Sequence, residues 1–194
     1  MCIRDRNHPV ALELLNGLNR PIAAPSANPF GTISPTTAQH VKKYFGDKIL
    51  ILEGGACQVG IESTIVDLSG NPAILRPGMI GHAQIEKIVG PLGSSNTAAP
   101  GTMKAHYAPK TRLVLSDTPE QTRSVLASAG KKVAVLNHTE LNDYARNLYA
   151  ELHRLDSLNF DVLVAPKAPQ DGIGIAINDR LKKASTGSKS GETF

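Results

Sequence analysis

The second half of the chain alternates short apolar segments with longer amphipathic ones, and this alternation restricts its possible folds more than any other feature. The apolar segments RLVLS, KVAVLN and DVLVAPK are each followed by a segment with helical spacing: TPEQTRSVLASAG, ELNDYARNLYAELHRLDSL and GIGIAINDRLKKAS. Strands that alternate with helical patterns are typical of βαβ units, whose crossovers join parallel strands. Residues 112–194 are therefore predicted to form a small Rossmann-like parallel α/β domain.

The first half lacks this regularity. It begins with a helix in HPVALELLNGL and continues with a short strand in RPIAAPSAN. A second helix is expected in SPTTAQHVKKYFG, with Ser34 as N-cap, Pro35 at the first helical position and Gly46 at its end. A buried strand KILILEGG, a hairpin IESTIVDLSGNPAILRPG and a short helix GHAQIEKIVG follow. Strands that follow one another in this way indicate an α+β domain in residues 1–90.

Residues 91–111, PLGSSNTAAPGTMKAHYAPKT, consist mostly of small residues, proline and glycine. A stretch of this length and composition between two patterned regions is typical of an extended linker or a lid. The predicted organisation is therefore a first domain over residues 1–90, a linker, and a second domain over residues 112–194.

The opening MCIRDR is polar and unpatterned, yet the middle of an amphipathic helix follows it at once, with Val10, Leu14 and Leu18 on one face. We expect residues 1–6 to be the scar of a truncated reading frame. The two cysteines, Cys2 and Cys57, cannot form a disulfide framework, which favours a reducing cytoplasm. No apolar run approaches the length needed to cross a membrane.

The stretch PIAAPSANPFGTISPTTAQHV contains four prolines and one glycine before a predicted helix. Ser26 and Asn28 stand where a strand is expected to end, and the helix is expected to start at Ser34. Loop N–H groups together with the positive end of a helix dipole can bind an anion. The alternative, which composition alone favours, is that all three are ordinary turn and cap residues.

Two further motifs place polar groups beside apolar strands. GIESTIVDL holds Glu62, Ser63 and Thr64 at the mouth of a β-branched strand, where the hydroxyls could bind a polar ligand or pair across strands. ILRPG holds Arg76 between a strand and a Pro-Gly turn, where a planar guanidinium suits a phosphate but is also common at a protein surface.

The linker contains HYAPK, with His106 and Tyr107 in a segment that offers no packing reason for an aromatic residue. Tyr107 is therefore a candidate for a lid contact. His106 has no second ligand at metal-binding spacing, which argues against a metal site.

The segments APSANPFGTISPTTAQHV, GIESTIVDL, ILRPG and APGTMKAHYAPK, in this order, resemble the Sua5/YrdC/YciO family, and more narrowly its two-domain Sua5-type L-threonylcarbamoyladenylate synthases. The last helix is also similar, so that the resemblance extends from Asn7 onward. It implies a fold made of the C-terminal portion of a YrdC-like α+β domain, the linker, and a Sua5 domain. It further implies a nucleotidyltransferase that converts L-threonine, bicarbonate and ATP into threonylcarbamoyl-AMP and diphosphate for the t6A37 modification of tRNA.

The resemblance also implies roles for individual residues and partners. ATP would be bound with Mg²⁺, and the product would pass to t6A-pathway transfer proteins, with no membrane involved. No side chain would act as a catalytic nucleophile. The ATP-binding residues would be Ser26, Asn28, Ser34, Arg76 and Tyr107, with Ala24 and Ser63 beside the L-threonine.

This chain departs from the family pattern at its start. Family members carry a KxR motif on strands that have no counterpart here, and Arg4, ahead of His8, stands where they place a threonine-contacting arginine. A site without the KxR cations is expected to lose much of its phosphate stabilisation. Two alternatives stay open. One is a double-stranded RNA-binding module, because YrdC-like folds present a basic concave face. The other is a non-catalytic nucleotide-binding module. The net charge of +4, without clusters of lysine and arginine and without tryptophan, counts against the RNA-binding alternative.

Overall fold

The computed structural model describes residues 7–188, so that the predicted scar with Cys2 and Arg4 lies outside the described residues. The elements in chain order are α1 (Pro9–Leu18), α2 (Ala38–Phe45), β1 (Ile65–Asp67), β2 (Ala73–Arg76), α3 (His82–Val89), β3 (Arg112–Ser116), α4 (Pro119–Ser128), β4 (Val133–Val135), α5 (Leu141–Asp156), β5 (Val162–Pro166) and α6 (Gly172–Gly187). Within residues 7–188 there is no helix both long enough and apolar enough to span a membrane.

The predicted parallel sheet is confirmed. Strand β5 lies between β3 and β4 and pairs with both in parallel. Its residues Leu163, Val164 and Ala165 are fully buried, as expected of a central strand covered on both faces. Helices α5 and α6 pack on one another, and their apolar faces join the same core as the sheet.

The first half contains the predicted hairpin, in which β1 and β2 pair antiparallel, and the predicted short helix α3. Helix α2 ends at Phe45 with Gly46 as its C-cap, as expected, but its start was wrongly predicted. Its N-cap is Thr37, whose hydroxyl accepts a hydrogen bond from the backbone N–H of His40 at 3.3 Å. Ser34 lies three residues earlier and uses its hydroxyl on another part of the chain.

Two predicted strands do not form. The segments RPIAAP and KILILEGG have no strand partner among residues 7–188, and Leu50 is 89 % exposed. A strand is stable only when a neighbour accepts and donates the bonds of its backbone, and the β1–β2 hairpin provides no such neighbour here. Helix α1 forms as predicted, but none of its residues is buried, and Leu12, Leu14 and Leu18 are exposed.

The two halves of the chain are joined through α5 and α6. Ile33 and Ile61 of the first half belong to the same apolar cluster as Leu148, Leu152 and Ile177 of the second. Polar contacts accompany this cluster, since the guanidinium Nε of Arg146 donates to the carbonyl of Gln58 at 3.1 Å. The segment that leads into β1 is therefore held directly against the helices of the parallel domain.

Candidate functional site

A cavity of about 440 Å³ lies between the first half of the chain and the linker. Four parts of the chain line it, the residues being Ile22, Ala23, Ala24, Pro25, Ser26, Glu62, Ser63, Ile65, Arg76, Pro100, Gly101, His106 and Tyr107. Five of the seven residues predicted from sequence are thus brought together: Ala24, Ser26, Ser63, Arg76 and Tyr107. Asn28 and Ser34 do not line the cavity.

Asn28 shapes the turn that follows Ser26. Its side-chain N–H₂ group donates to the carbonyls of Pro29 and Thr32, both at 3.1 Å, and to the Thr32 hydroxyl at 3.2 Å. Its side-chain oxygen is buried and has no hydrogen-bond partner within the described chain. Leaving such an acceptor unpaired costs about 1–3 kcal/mol.

Ser34 is buried and holds another side chain in place. Its hydroxyl donates to Oε1 of Glu62 at 2.7 Å, and its carbonyl lies 3.2 Å from Nε2 of His153 on α5. The expected anion site at the start of α2 is therefore not built around Ser34, because its hydroxyl is committed to the Glu62 carboxylate.

Arg76 is the buried cation of the cavity, with only 4 % of its surface exposed. Its Nε and Nη2 atoms donate to the carbonyl of Ser63 at 3.1 and 3.0 Å, and Nη1 donates to the carbonyl of Pro100 at 3.0 Å. No carboxylate among residues 7–188 forms an ion pair with it. A guanidinium that is oriented by neutral carbonyls keeps its full charge for a ligand, and its geometry suits a phosphate or carboxylate.

Tyr107 comes from the linker but is only 2 % exposed, so that it forms a wall of the cavity instead of an open flap. It has the unusual φ of 62°, and its N–H donates to Nδ1 of His106 at 2.9 Å. Gly101 lies against the Tyr107 hydroxyl so closely that a Cβ at Gly101 would overlap it. Burial, with the nearby Glu62 carboxylate, raises the pKa of the Tyr107 phenol to about 12, and the hydroxyl therefore stays protonated at neutral pH.

Glu62 was noted in the sequence but given no role. In the structure its carboxylate accepts hydrogen bonds from three other side chains. Its carboxylate accepts from Ser34, from the Tyr149 hydroxyl at 2.9 Å and from Nε of Arg180 at 2.9 Å. Burial alone would raise the pKa of this carboxyl, but the Arg180 charge and the hydrogen bonds outweigh it and hold the pKa below its usual value. One signal in the sequence was the arginine in the apolar helix GIGIAINDRLKKA, since a buried arginine needs an acidic partner.

The sequence models of two families together match nearly the whole chain. One, described as "Threonylcarbamoyl-AMP synthase, C-terminal domain", matches residues 80–186, and one described as "Telomere recombination" matches residues 1–78.

Individual relatives agree with these matches. Threonylcarbamoyl-AMP synthase of Pyrococcus abyssi (strain GE5 / Orsay) is 35% identical over 216 residues, which covers 95% of this chain and 64% of the relative. The protein of the same name from Bacillus subtilis (strain 168) is 33% identical over 219 residues, with 96% and 63% covered. The chain thus spans less than two thirds of the length of these relatives.

Two solved structures have the same fold. The crystal structure of P. abyssi Sua5 complexed with L-threonine has a TM-score of 0.84 at 35% identity and covers 93% of this chain and 62% of that one. A variant of P. abyssi Sua5, in which a histidine and the tyrosine after it are both alanine, has a TM-score of 0.81 at 34% identity, with 93% and 61% covered.

Proposed function

Because the chain belongs to the threonylcarbamoyl-AMP synthase family, we propose that it serves the formation of threonylcarbamoyl-AMP and diphosphate from L-threonine, bicarbonate and ATP. The product would be used for the t6A37 modification of tRNA, in the cytoplasm, through the transfer proteins of that pathway. Since the chain spans less than two thirds of its relatives, the activity of this chain is itself the proposal.

The observation that carries this proposal is the Arg76 guanidinium at the wall of a cavity of about 440 Å³, where no carboxylate of residues 7–188 forms an ion pair with it. We assign ATP to the side of the cavity with Ser26, Arg76 and Tyr107, next to the turn that contains Asn28. Ser34 would act on ATP only through Glu62, because its hydroxyl is turned to that carboxylate. We assign L-threonine to the side of the cavity with Ala24 and Ser63. The choice of L-threonine as the ligand is supported by the similar P. abyssi structure, which is complexed with it.

The chemistry needs positioned charge more than a nucleophilic side chain. The threonine amine and bicarbonate form a carbamate with loss of water, and a carbamate oxygen then attacks the α-phosphorus of ATP. The new O–P bond replaces the bond to the β-phosphate, and diphosphate leaves with its electron pair. Arg76 would neutralise charge that develops on the phosphates, and the buried Tyr107 would keep water out.

Mg²⁺ would enter as part of the ATP substrate, held chiefly by the phosphate oxygens. Among residues 7–188, no group of three histidine, cysteine or carboxylate side chains is placed to hold a metal ion. Glu62, the one carboxylate of the cavity wall, already accepts hydrogen bonds at both of its oxygens.

A diphosphate-release assay that depends on both L-threonine and bicarbonate tests the proposal. Arg76→Met should lower kcat/KM by roughly 10- to 150-fold, since a hydrogen bond to a charged group contributes about 1.5–3 kcal/mol. Arg123→Met is the matched control, because Arg123 is exposed on α4 and pairs only with Glu120.

ATP binding, measured by calorimetry, separates the remaining outcomes. Binding without turnover would favour a non-catalytic nucleotide-binding module. If neither ATP binding nor diphosphate release is observed, the proposed function is wrong for this chain.

A further inference from the structure

We propose that Arg180 and Lys183 of α6 are positioning residues for the cavity, Arg180 acting through Glu62 and Tyr107 and Lys183 through the linker at Gly101. This inference rests on the proposed function for its effect on turnover. Its structural part, that α6 holds the cavity walls in place, can be tested without any turnover.

Arg180 has no exposed surface, yet its polar partners lie outside the sheet against which α6 packs. Its Nε donates to Oε2 of Glu62 at 2.9 Å, and its Nη1 donates to Asp179 at 2.7 Å. Its guanidinium carbon lies 5.6 Å from the centre of the Tyr107 ring, within the range of a cation–π contact. A buried ion pair is often no more stabilising than apolar residues of the same volume, so that stability alone does not explain an arginine here.

Arg180 influences the orientation of Arg76, the buried cation of the cavity, through Glu62. Glu62 is fixed between Ser34, Tyr149 and Arg180, and the next residue is Ser63. The carbonyl of Ser63 accepts two bonds from Arg76 and so orients its guanidinium. A shift of Glu62 would therefore move the backbone group that aims Arg76.

Lys183 acts on the part of the cavity wall that the linker forms. Its ammonium group donates to the carbonyl of Gly101 at 2.7 Å and to Asp179 at 2.8 Å. Its own backbone carbonyl accepts from the N–H of His106 at 3.2 Å. One turn of α6 thus ties two separate points of the linker, and both Gly101 and His106 line the cavity.

Through these contacts the parallel domain supports the walls of the cavity, a role for which it needs no ligand of its own. Residues Asp179, Arg180 and Lys183 lie within one turn of a helix whose other face is embedded in the core of that domain. The helix is therefore a rigid support, and the linker and the Glu62 segment take their places from it.

The first test measures hydrogen exchange of residues 98–107 in the full chain, without substrates. Arg180→Met and Lys183→Met should each exchange at least tenfold faster there, with exchange of the β5 amides unchanged. Lys182→Met is the matched control, because Lys182 is exposed on the same helix and its side chain contacts none of the cavity walls. Unchanged exchange at residues 98–107 in both variants, with the fold retained, would overturn the inference and leave the proposed function standing.

The second test uses kinetics. Arg180→Met should lower kcat/KM by roughly 10- to 100-fold and raise KM for ATP. Arg180→Lys should recover part of the loss, since lysine restores the charge but not the second hydrogen bond. If both Arg180 variants equal the wild type in turnover, Arg180 does not position the site.

A further variant keeps the inference testable if Arg180→Met does not fold, and one outcome separates the inference from the proposed function. If Arg180→Met does not fold, because it leaves Glu62 unpaired, then Glu62→Gln/Arg180→Met removes the uncompensated charge and Lys183→Met still tests the linker contact. That outcome is an unsubstituted chain that releases no diphosphate, while the linker of these variants still exchanges faster. It would support the positioning roles of Arg180 and Lys183 and would contradict the synthase activity.

Discussion

Replacing Gly60 by alanine should separate the two halves of the chain at the contact between α5 and the segment before β1. A Cβ at Gly60 would lie 2.5 Å from both the Cα and the carbonyl carbon of Arg146, and closer still to its oxygen. These are backbone atoms within a sixteen-residue helix, so that no side-chain rotation can relieve the overlap. Gly60 also has φ of 83°, which alanine adopts only with strain.

The cost can be estimated from the contacts that would be lost. The positive φ contributes about 1–2 kcal/mol, and the hydrogen bond from Arg146 to Gln58 about 1 kcal/mol more. Partial exposure of Ile61, which is now 6 % exposed, adds about 1–2 kcal/mol. We expect a total loss of roughly 3–5 kcal/mol, which for a protein of this size lowers Tm by about 10 °C.

Gly55→Ala is the matched control. Gly55 lies on the same segment with φ of 79°, and a Cβ there would meet no other atom within 4 Å. It should therefore show only the backbone strain, a loss of about 1–2 kcal/mol. Urea unfolding and thermal melting of both variants measure the difference. Equal destabilisation by the two substitutions would refute the argument that the α5 contact is close-packed at Gly60.

Three further substitutions test other parts of the structure. Burial, together with the stacked His40, lowers the pKa of His153 to about 4. The folded state favours the neutral ring of His153. Its contribution to the free energy of unfolding is therefore complete above pH 6.5 and is lost as the pH falls toward 4. The loss is on the order of 3 kcal/mol, and urea unfolding across that range should show a shallower pH dependence in His153→Phe. Leu163→Ala in the centre of β5 should lower the free energy of unfolding by about 2–5 kcal/mol, measured by urea, whereas Leu158→Ala at a half-exposed site should lower it by less than 1 kcal/mol. Tyr144→Phe removes the hydroxyl that donates to the Pro166 carbonyl at 2.9 Å and should lower it by about 1 kcal/mol in the same assay.

The parallel domain could be predicted from its sequence because each of its elements shows its own period. The strand RLVLS is β3 over Arg112–Ser116, and the helix expected in TPEQTRSVLASAG is α4 over Pro119–Ser128. Each pattern is set by residues that lie close together in the sequence. The short connections between strands and helices then allow few arrangements of the elements.

The errors in the first half have a different physical origin. Ser34 and Thr37 are both good N-caps, and only the position of Glu62, far along the chain, decides which hydroxyl is free to cap α2. KILILEGG has the composition of a buried strand, but a strand also needs a partner, which the sequence of a single segment cannot show.

The same limit applies to the cavity. Ser26, Ser63 and Arg76 could be named from local motifs, and the structure places them around one cavity. Their roles toward ATP and L-threonine stay predictions. The partnership of Glu62 with Arg180 could not be read from either motif, because it is made only when α6 docks on the first half.

The Glu62–Arg180 pair spans 118 positions of the chain, and this distance sets an order of events during synthesis. At a translation rate of about 5–20 residues per second, Arg180 is made roughly 6–24 s after Glu62. During that time the nascent chain carries the Glu62 carboxylate without its cation and the linker without Lys183. The walls of the cavity that Glu62 and the linker form can therefore take their final places only after α6 has been made, and a chain that stops before Arg180 would lack both of these supports.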